Sequence, residues 1–155
     1  MEPIVRVTAR VVPVNEDGAA LLLLDQDPAA PGVLRWASIG GGVEAGESAA
    51  EAAVRELYEE TGIVADTDDI IGPLCRVKRS YTYDHVRYDG DHTYLALAVS
   101  GDIVVNFDRL EPEEVGNVLD AAWFSPEALV ADGRMVEPDL PDIIASAISA
   151  VEGTR

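Results

Sequence analysis

Glu56, Glu59 and Glu60 are the residues of this 155-residue chain whose type and spacing most directly imply chemistry. Steps of three and four residues bring side chains onto one surface of an α-helix, so the three carboxylates would come within reach of a shared ion. Left alone they repel. They also occupy the last turn before Gly62, where the helix dipole disfavours an anion by about 0.3–1 kcal/mol. A hard divalent cation answers both costs, because Mg²⁺ and Mn²⁺ prefer oxygen ligands and keep positions open for water and phosphate. The competing reading is a solvated acidic face, with Arg55 paired to Glu51 one turn earlier, and an isolated Glu-Glu pair favours it. The surroundings of the glutamates therefore decide.

Those surroundings are Gly41, five residues, Glu47, seven residues, then Arg55-Glu56-Leu57-Tyr58-Glu59-Glu60-Thr61-Gly62-Ile63. The run resembles the complete box of the Nudix (MutT-like) hydrolase family, in which every specified position is matched. The resemblance implies an α/β fold, an α/β/α sandwich on a mixed, partly antiparallel sheet. It implies Glu56, Glu59 and Glu60 as metal ligands, with the carbonyl of Gly40 as a further one, and Mg²⁺ (or Mn²⁺) as cofactor. Arg55 and Glu47 would be an ion pair holding loop to helix. The catalytic set is then Glu47, Arg55, Glu56, Glu59 and Glu60. Glu59 is the first choice of general base, with Asp91, Glu111, Glu113, Glu114 and Asp120 as rivals from later loops. Trp36 and Trp123-Phe124 also resemble family members. One departure is Ile39, where many members carry proline before the glycines.

The activity implied is metal-dependent hydrolysis of a pyrophosphate bond by attack of water on phosphorus. The substrate would be a nucleoside diphosphate linked to another group: a nucleoside triphosphate, ADP-ribose, a nucleotide sugar or similar. Cleaving such a bond asks little covalent help of the protein beyond positioning water and neutralising phosphate charge. Two alternatives stand beside it, a non-hydrolytic diphosphate enzyme and a nucleotide-sensing regulatory domain, and the second usually lacks the box glutamates.

The elements that would position these groups can be read from periodicity. Ser48 to Thr61 is the clearest helix, with a serine cap, Glu51 three residues on and Gly62 after its end. Its apolar positions Ala49, Ala50, Ala53, Val54 and Leu57 predict one stripe toward a core, with the acids on the opposite face. Gly40-Gly41-Gly42 and Gly46 predict a flexible loop feeding that helix. Upstream, Ile4 to Val14 and Ala19 to Leu24 flank the turn residues Asn15-Glu16-Asp17-Gly18 and predict a hairpin, and Leu34 to Ile39 a brief strand. Downstream, Leu74 to Tyr83 and His92 to Val99 predict an antiparallel pair joined by a loop containing Asp89-Gly90. Ala121 to Phe124 is a short strand, Ser125-Pro126-Glu127 opens a helix, and Asp139 to Glu152 is a terminal helix packed on the sheet.

Composition narrows the partners. The length suits a single domain over residues 1–155. Cys75 is the only cysteine, which rules out an internal disulfide and a cysteine-ligated metal and makes the cytoplasm the default location. No apolar run is long enough for a signal peptide or a membrane span, so no membrane partner is expected. Twenty-nine acids against 11 Lys plus Arg give a net charge of −18, which repels long nucleic acid and anionic membranes. A small nucleotide or nucleotide-sugar substrate is expected instead, bridged by a cation. Against that background Arg76, Lys78, Arg79 and Tyr81, near Arg87, Tyr83 and Tyr88, are the predicted substrate-binding residues, able to hold phosphate and stack a base. A soluble strand edge explains the same basic residues as well. His85 and His92 receive no role. Family relatives are often dimers, and the N-terminal strands could serve a homodimer.

Overall fold

The structure, a computed structural model, describes residues 2–155. Its organising strand is β1 (Ile4–Val14), which meets three partners. On one side of it in space lie β2 (Ala20–Asp25), β3 (Arg35–Ala37), β4 (Ile39–Gly42) and β7 (Val118–Phe124); on the other lie β6 (Val86–Ala98) and β5 (Ile71–Tyr83). β6 runs parallel to β1 along its whole length, from Ile4↔Tyr88 to Val14↔Ala98. β4 pairs antiparallel with Thr8 to Val11, whereas β2 touches β1 only at Val14↔Ala20. The predicted hairpin is therefore pinned only at its turn. Beyond that turn β2 leaves β1 and pairs antiparallel with β3 and β7, so the sheet forks and a cleft opens between its branches.

The glycine run is the first correction. Gly40-Gly41-Gly42 is strand, paired with Arg10, Ala9 and Thr8, where a loop was expected. The physical reason is close approach on both sides. A Cβ on Gly40 would collide with the Ala9 carbonyl and Arg10 Cα, and one on Gly41 would stand 2.5 Å from a Glu56 carboxylate oxygen. Glycine is used here because backbone or carboxylate occupies the space of a side chain, and its entropic cost is offset by pairing.

The second correction concerns the β5–β6 connection. Asp89 and Gly90 lie inside β6, and the turn is only Asp84-His85, both at positive φ (48° and 67°). Positive φ at both central residues is the two-residue turn whose twist suits antiparallel strands, and Asp tolerates it. The pairing runs out to Tyr83↔Val86, so the ribbon is longer than expected.

Three helices complete the fold: α1 (Ala49–Thr61), α2 (Pro126–Asp132) and α3 (Leu140–Glu152). α1 begins with a full capping box, Ser48 accepting from the Glu51 amide and Glu51 from that of Ser48, and ends at Gly62 in the left-handed region. It packs on the face carrying Ala9, Val11, Leu21, Leu23, Ile39 and Leu95, while α2 and α3 cover the face of Val12, Val14, Leu22 and Tyr94. Helix, sheet, helix is the α/β/α sandwich expected, on a mixed sheet. Among the described residues no helix is long and apolar enough to cross a membrane.

Candidate active site

The site is built around Arg55. Its guanidinium grips Glu47 with two bonds, Nε donating to Oε2 at 2.8 Å and Nη2 to Oε1 at 2.9 Å. Nη2 also donates to the Gly42 carbonyl at 2.8 Å, while Nη1 reaches Glu56 at 2.9 Å and Glu59 at 3.3 Å. One planar fork thus joins β4, the loop before α1, and two carboxylates of α1, a geometry lysine could not reproduce. Hydrogen bonding from Arg55 holds the Glu47 carboxyl down at about 2. Glu51, the expected partner under the solvated-face reading, is occupied by the helix cap instead.

The acids do not share a solvent face opposite the core, as the apolar stripe had suggested. The buried side of α1 is Ala52, Ala53, Glu56, Leu57, Glu60 and Thr61. Glu56 and Glu60, one turn apart, point inward with exposures of 8% and 4%, and Glu59 is half-buried. Ala50 and Val54 are only half-buried. The inward turn is possible because Gly41 leaves room for the Glu56 carboxylate and because the Gly40 amide donates to Glu60 Oε1 at 2.8 Å. Burial, then the neighbouring Glu114, pushes the Glu60 carboxyl well above the usual carboxylate range; burial likewise raises Glu56 and Glu59. Glu114 is delivered by the 106–117 segment, which is tied to the helix end by the Asn106 amide donating to the Thr61 carbonyl at 3.0 Å. Among the described residues no three acidic, His or Cys side chains stand together closely enough to hold an ion as they are: Glu56 and Glu59 turn to Arg55, and Glu60 to Gly40.

Glu56 and Glu60 open onto a cavity of about 750 Å³ whose far wall is β1, β6 and β5; Glu59 does not line it. Strand register sorts that wall. Cross-strand rows are Arg10, Tyr94 and Cys75; Thr8, His92 and Val77; Arg6, Gly90 and Arg79. The next places Tyr81 opposite Tyr88, with rings stacked at 5.3 Å. Of the predicted substrate-binding residues, Arg79 and Tyr81 line the cavity. Arg76 and Lys78, of the opposite parity, do not: both are exposed, and Arg76 is paired with Asp91. The period-two side-chain alternation of a strand divides a cluster that looks uniform in sequence. The rival bases divide too. Glu111, Glu113 and Glu114 line the cavity, whereas Asp91 is held by Arg76, and Asp120 is exposed with Oδ1 accepting from the Ala121 amide.

Several cavity residues were given no role from the sequence. Arg10 donates from Nε to Ser38 Oγ at 3.0 Å and from Nη2 to the Ser38 carbonyl at 2.7 Å, and Ser38 Oγ donates to Glu137 Oε1 at 3.3 Å. Asp25, pushed up to about 7 chiefly by burial, lies on the same cavity, and so does His92. His92 is buried with Nδ1 2.5 Å from Thr8 Oγ1. Burial, then Arg10, Arg79 and Arg6, lowers it to about 4, so it is a neutral imidazole near pH 7. The one available signal was the inward parity of Arg6, Thr8 and Arg10 on a strand whose further residues are core.

Residues 5–145 match the NUDIX domain family. The NAD-capped RNA hydrolase NudC of Pseudomonas aeruginosa is 32% identical over 124 residues, 80% of this chain and 38% of that protein, so the chain spans well under half of that relative. Among solved structures, the MutT protein from Methanosarcina mazei Go1 superposes with a TM-score of 0.68 at 21% identity, covering 100% of this chain and 99% of that one. The E. coli dihydroneopterin triphosphate pyrophosphohydrolase gives 0.67 at 22%, covering 95% and 99%. At these identities the structural likeness speaks for the fold.

Proposed function

The chain belongs to the NUDIX domain family, and on that premise we propose that it is a pyrophosphohydrolase acting on a small nucleoside diphosphate derivative with Mg²⁺ or Mn²⁺. The observation that carries this reading is the Arg55 network, which restrains Glu56, on the cavity, together with Glu59, while Glu60 is pinned to Gly40. The donor set fits a hard cation. Buried carboxylates of Glu56 and Glu60 face Glu114, burial and then that neighbouring charge raise their carboxyls, and all the donors are oxygen. Glu56, Glu59, Glu60 and the Gly40 carbonyl would hold the ion. When bound, it supplies charge neutralisation on phosphate oxygens and acidifies water.

The chain's own residues do the rest. Arg55 orients Glu56 and Glu59 and keeps β4 against α1. Glu59, the least buried of the three, takes the proton of the attacking water, with Glu111, Glu113 and Glu114 as rivals on the cavity. Arg79 meets phosphate charge and Tyr81 stacks an aromatic ring. The net charge of −18 favours a small substrate over long RNA, and the single Cys75 agrees with a cytoplasmic setting. The chain acts as one domain, and the exposed Ile4, Val5 and Val7 of β1 would serve a homodimer.

The test is a panel of nucleoside triphosphates, ADP-ribose, nucleotide sugars and dinucleoside polyphosphates assayed for Mg²⁺- or Mn²⁺-dependent cleavage. At least one should yield a mononucleotide product, and Glu59→Gln and Glu60→Gln should each lose about 10²–10³-fold in kcat. Both variants within a few-fold of wild type sink the assignment.

A further inference from the structure

One end of the cavity carries more hydrogen-bond acceptors than the protein satisfies. Glu137, 6% exposed, uses Oε1 for Ser38, and its Oε2 has no partner; Asp25 Oδ1 has none either. Both residues line the cavity. A buried acceptor left unpaired costs about 1–3 kcal/mol, so two on one ligand-sized cavity call for a donor from outside the chain. The terminal torsions of Asp and Glu are broad, and either oxygen can turn toward a ligand at little cost. Arg10 lines the same cavity and its charge acts on both carboxyls; its Nε and Nη2 are taken by Ser38, leaving Nη1 outside those bonds. The parts are held firmly. Asp25 is in register with Arg35, the Trp36 amide donates to the Arg134 carbonyl, and the Val136 amide donates to the Trp36 carbonyl, which sets Glu137 beside Ser38.

We propose that Arg10, Asp25 and Glu137 form a recognition site for a substrate ring with a guanine-type edge. Such an edge offers one carbonyl to Arg10, and a ring N–H and an exocyclic amine to the two carboxylates. The stacked pair Tyr81 and Tyr88 on the same cavity supplies an aromatic surface for the ring. Burial raises both carboxyls, Asp25 to about 7, and a ring N–H and an amine donating to them would favour their charged, accepting form. An adenine edge, with an acceptor where guanine has its ring N–H, would set lone pair against carboxylate. A site built to bond a donor rejects an analogue lacking it. This inference rests on the nucleotide reading above and names the base that reading left open.

Equilibrium titration of the full chain with GDP, IDP and ADP in the presence of Mg²⁺ separates the two, because no turnover is needed. The expected order is GDP tightest, then IDP, which lacks the amine, then ADP, each step about tenfold. Glu137→Gln should weaken GDP by tenfold or more and leave ADP within twofold; Asp25→Asn is the second variant should the first fail to fold. ADP binding as tightly as GDP overturns the proposal whatever the hydrolysis panel gives. GDP selectivity without cleavage of any nucleotide supports this site and overturns the hydrolase reading instead.

Discussion

The two walls of the cavity are built in opposite ways. The wall formed by β4, the following loop and α1 is contiguous in sequence, Gly40 to Gly62, and its charges are bonded to one another: Arg55 alone engages Glu47, Glu56, Glu59 and the Gly42 carbonyl. The wall formed by β1, β2, β6 and the segment before α3 brings together residues far apart in the chain, such as Ser38 and Glu137, and leaves carboxylate oxygens without partners. A satisfied network rigidifies the groups it joins, as repeated chemistry requires. An unsatisfied one has acceptors to spare for a ligand, so the proposed base-recognition site lies on the second wall.

The largest effect expected outside the glutamates themselves breaks the first wall at its tightest point. In Gly41→Ala the new Cβ would lie 2.5 Å from the Glu56 carboxylate, the flexible end of a side chain, so the carboxylate moves and the backbone stays. Activity should fall about 10–100-fold, as when a ligand's support is lost, while thermal stability changes by less than about 1 kcal/mol. A melting temperature that collapses together with activity would show the glycine to be structural only.

A smaller effect sharpens the contrast through pH, because Glu47 of the first wall and Asp25 of the second respond with opposite sign. Glu47 is held near 2 by Arg55, below its ordinary value of 4.5, so its contribution is full above about 4.5 and is lost as pH falls through about 2. Asp25 is raised from 3.8 to about 7, so stability is fullest below about 3.8 and declines as pH rises through about 7. In chemical denaturation across pH 2–8, the gap between wild type and Glu47→Gln should close on acidification. Asp25→Asn should flatten the decline toward pH 7. Parallel curves for wild type and both variants would remove the distinction.

The smallest effect tests strand parity. Tyr81→Ala should raise KM several-fold with little change in kcat, through loss of a stacking surface of about 1 kcal/mol or more. Arg76→Ala, on the other side of the same strand, should leave both constants within twofold. Equal effects from the two would mean that the β5 ribbon reaches substrate with both faces.

The sequence by itself determined α1 and its caps, which depend on contacts within about one or two helical turns, where spacing dictates geometry. The Arg55 and glutamate set followed from the resemblance of the box to a family, because local spacing alone pairs Arg55 with Glu51. It also indicated α2, α3 and an antiparallel pairing of β5 with β6, but not the extent of that pair, because Asp89-Gly90 reads as a turn. Tertiary structure decided the rest. The glycine run became strand because β1 and Glu56 crowd it from both sides, a fact that lies in the partners and not in the glycines. Glu56 and Glu60 turned inward because those glycines admit them. The basic cluster of β5 split because register with β6 sets which parity faces the cavity, and Arg10, Asp25 and Glu137 met only because the sheet forks at β1. Local spacing can place a side chain on a helix; which side of a strand faces a ligand is fixed only when its neighbours are in position.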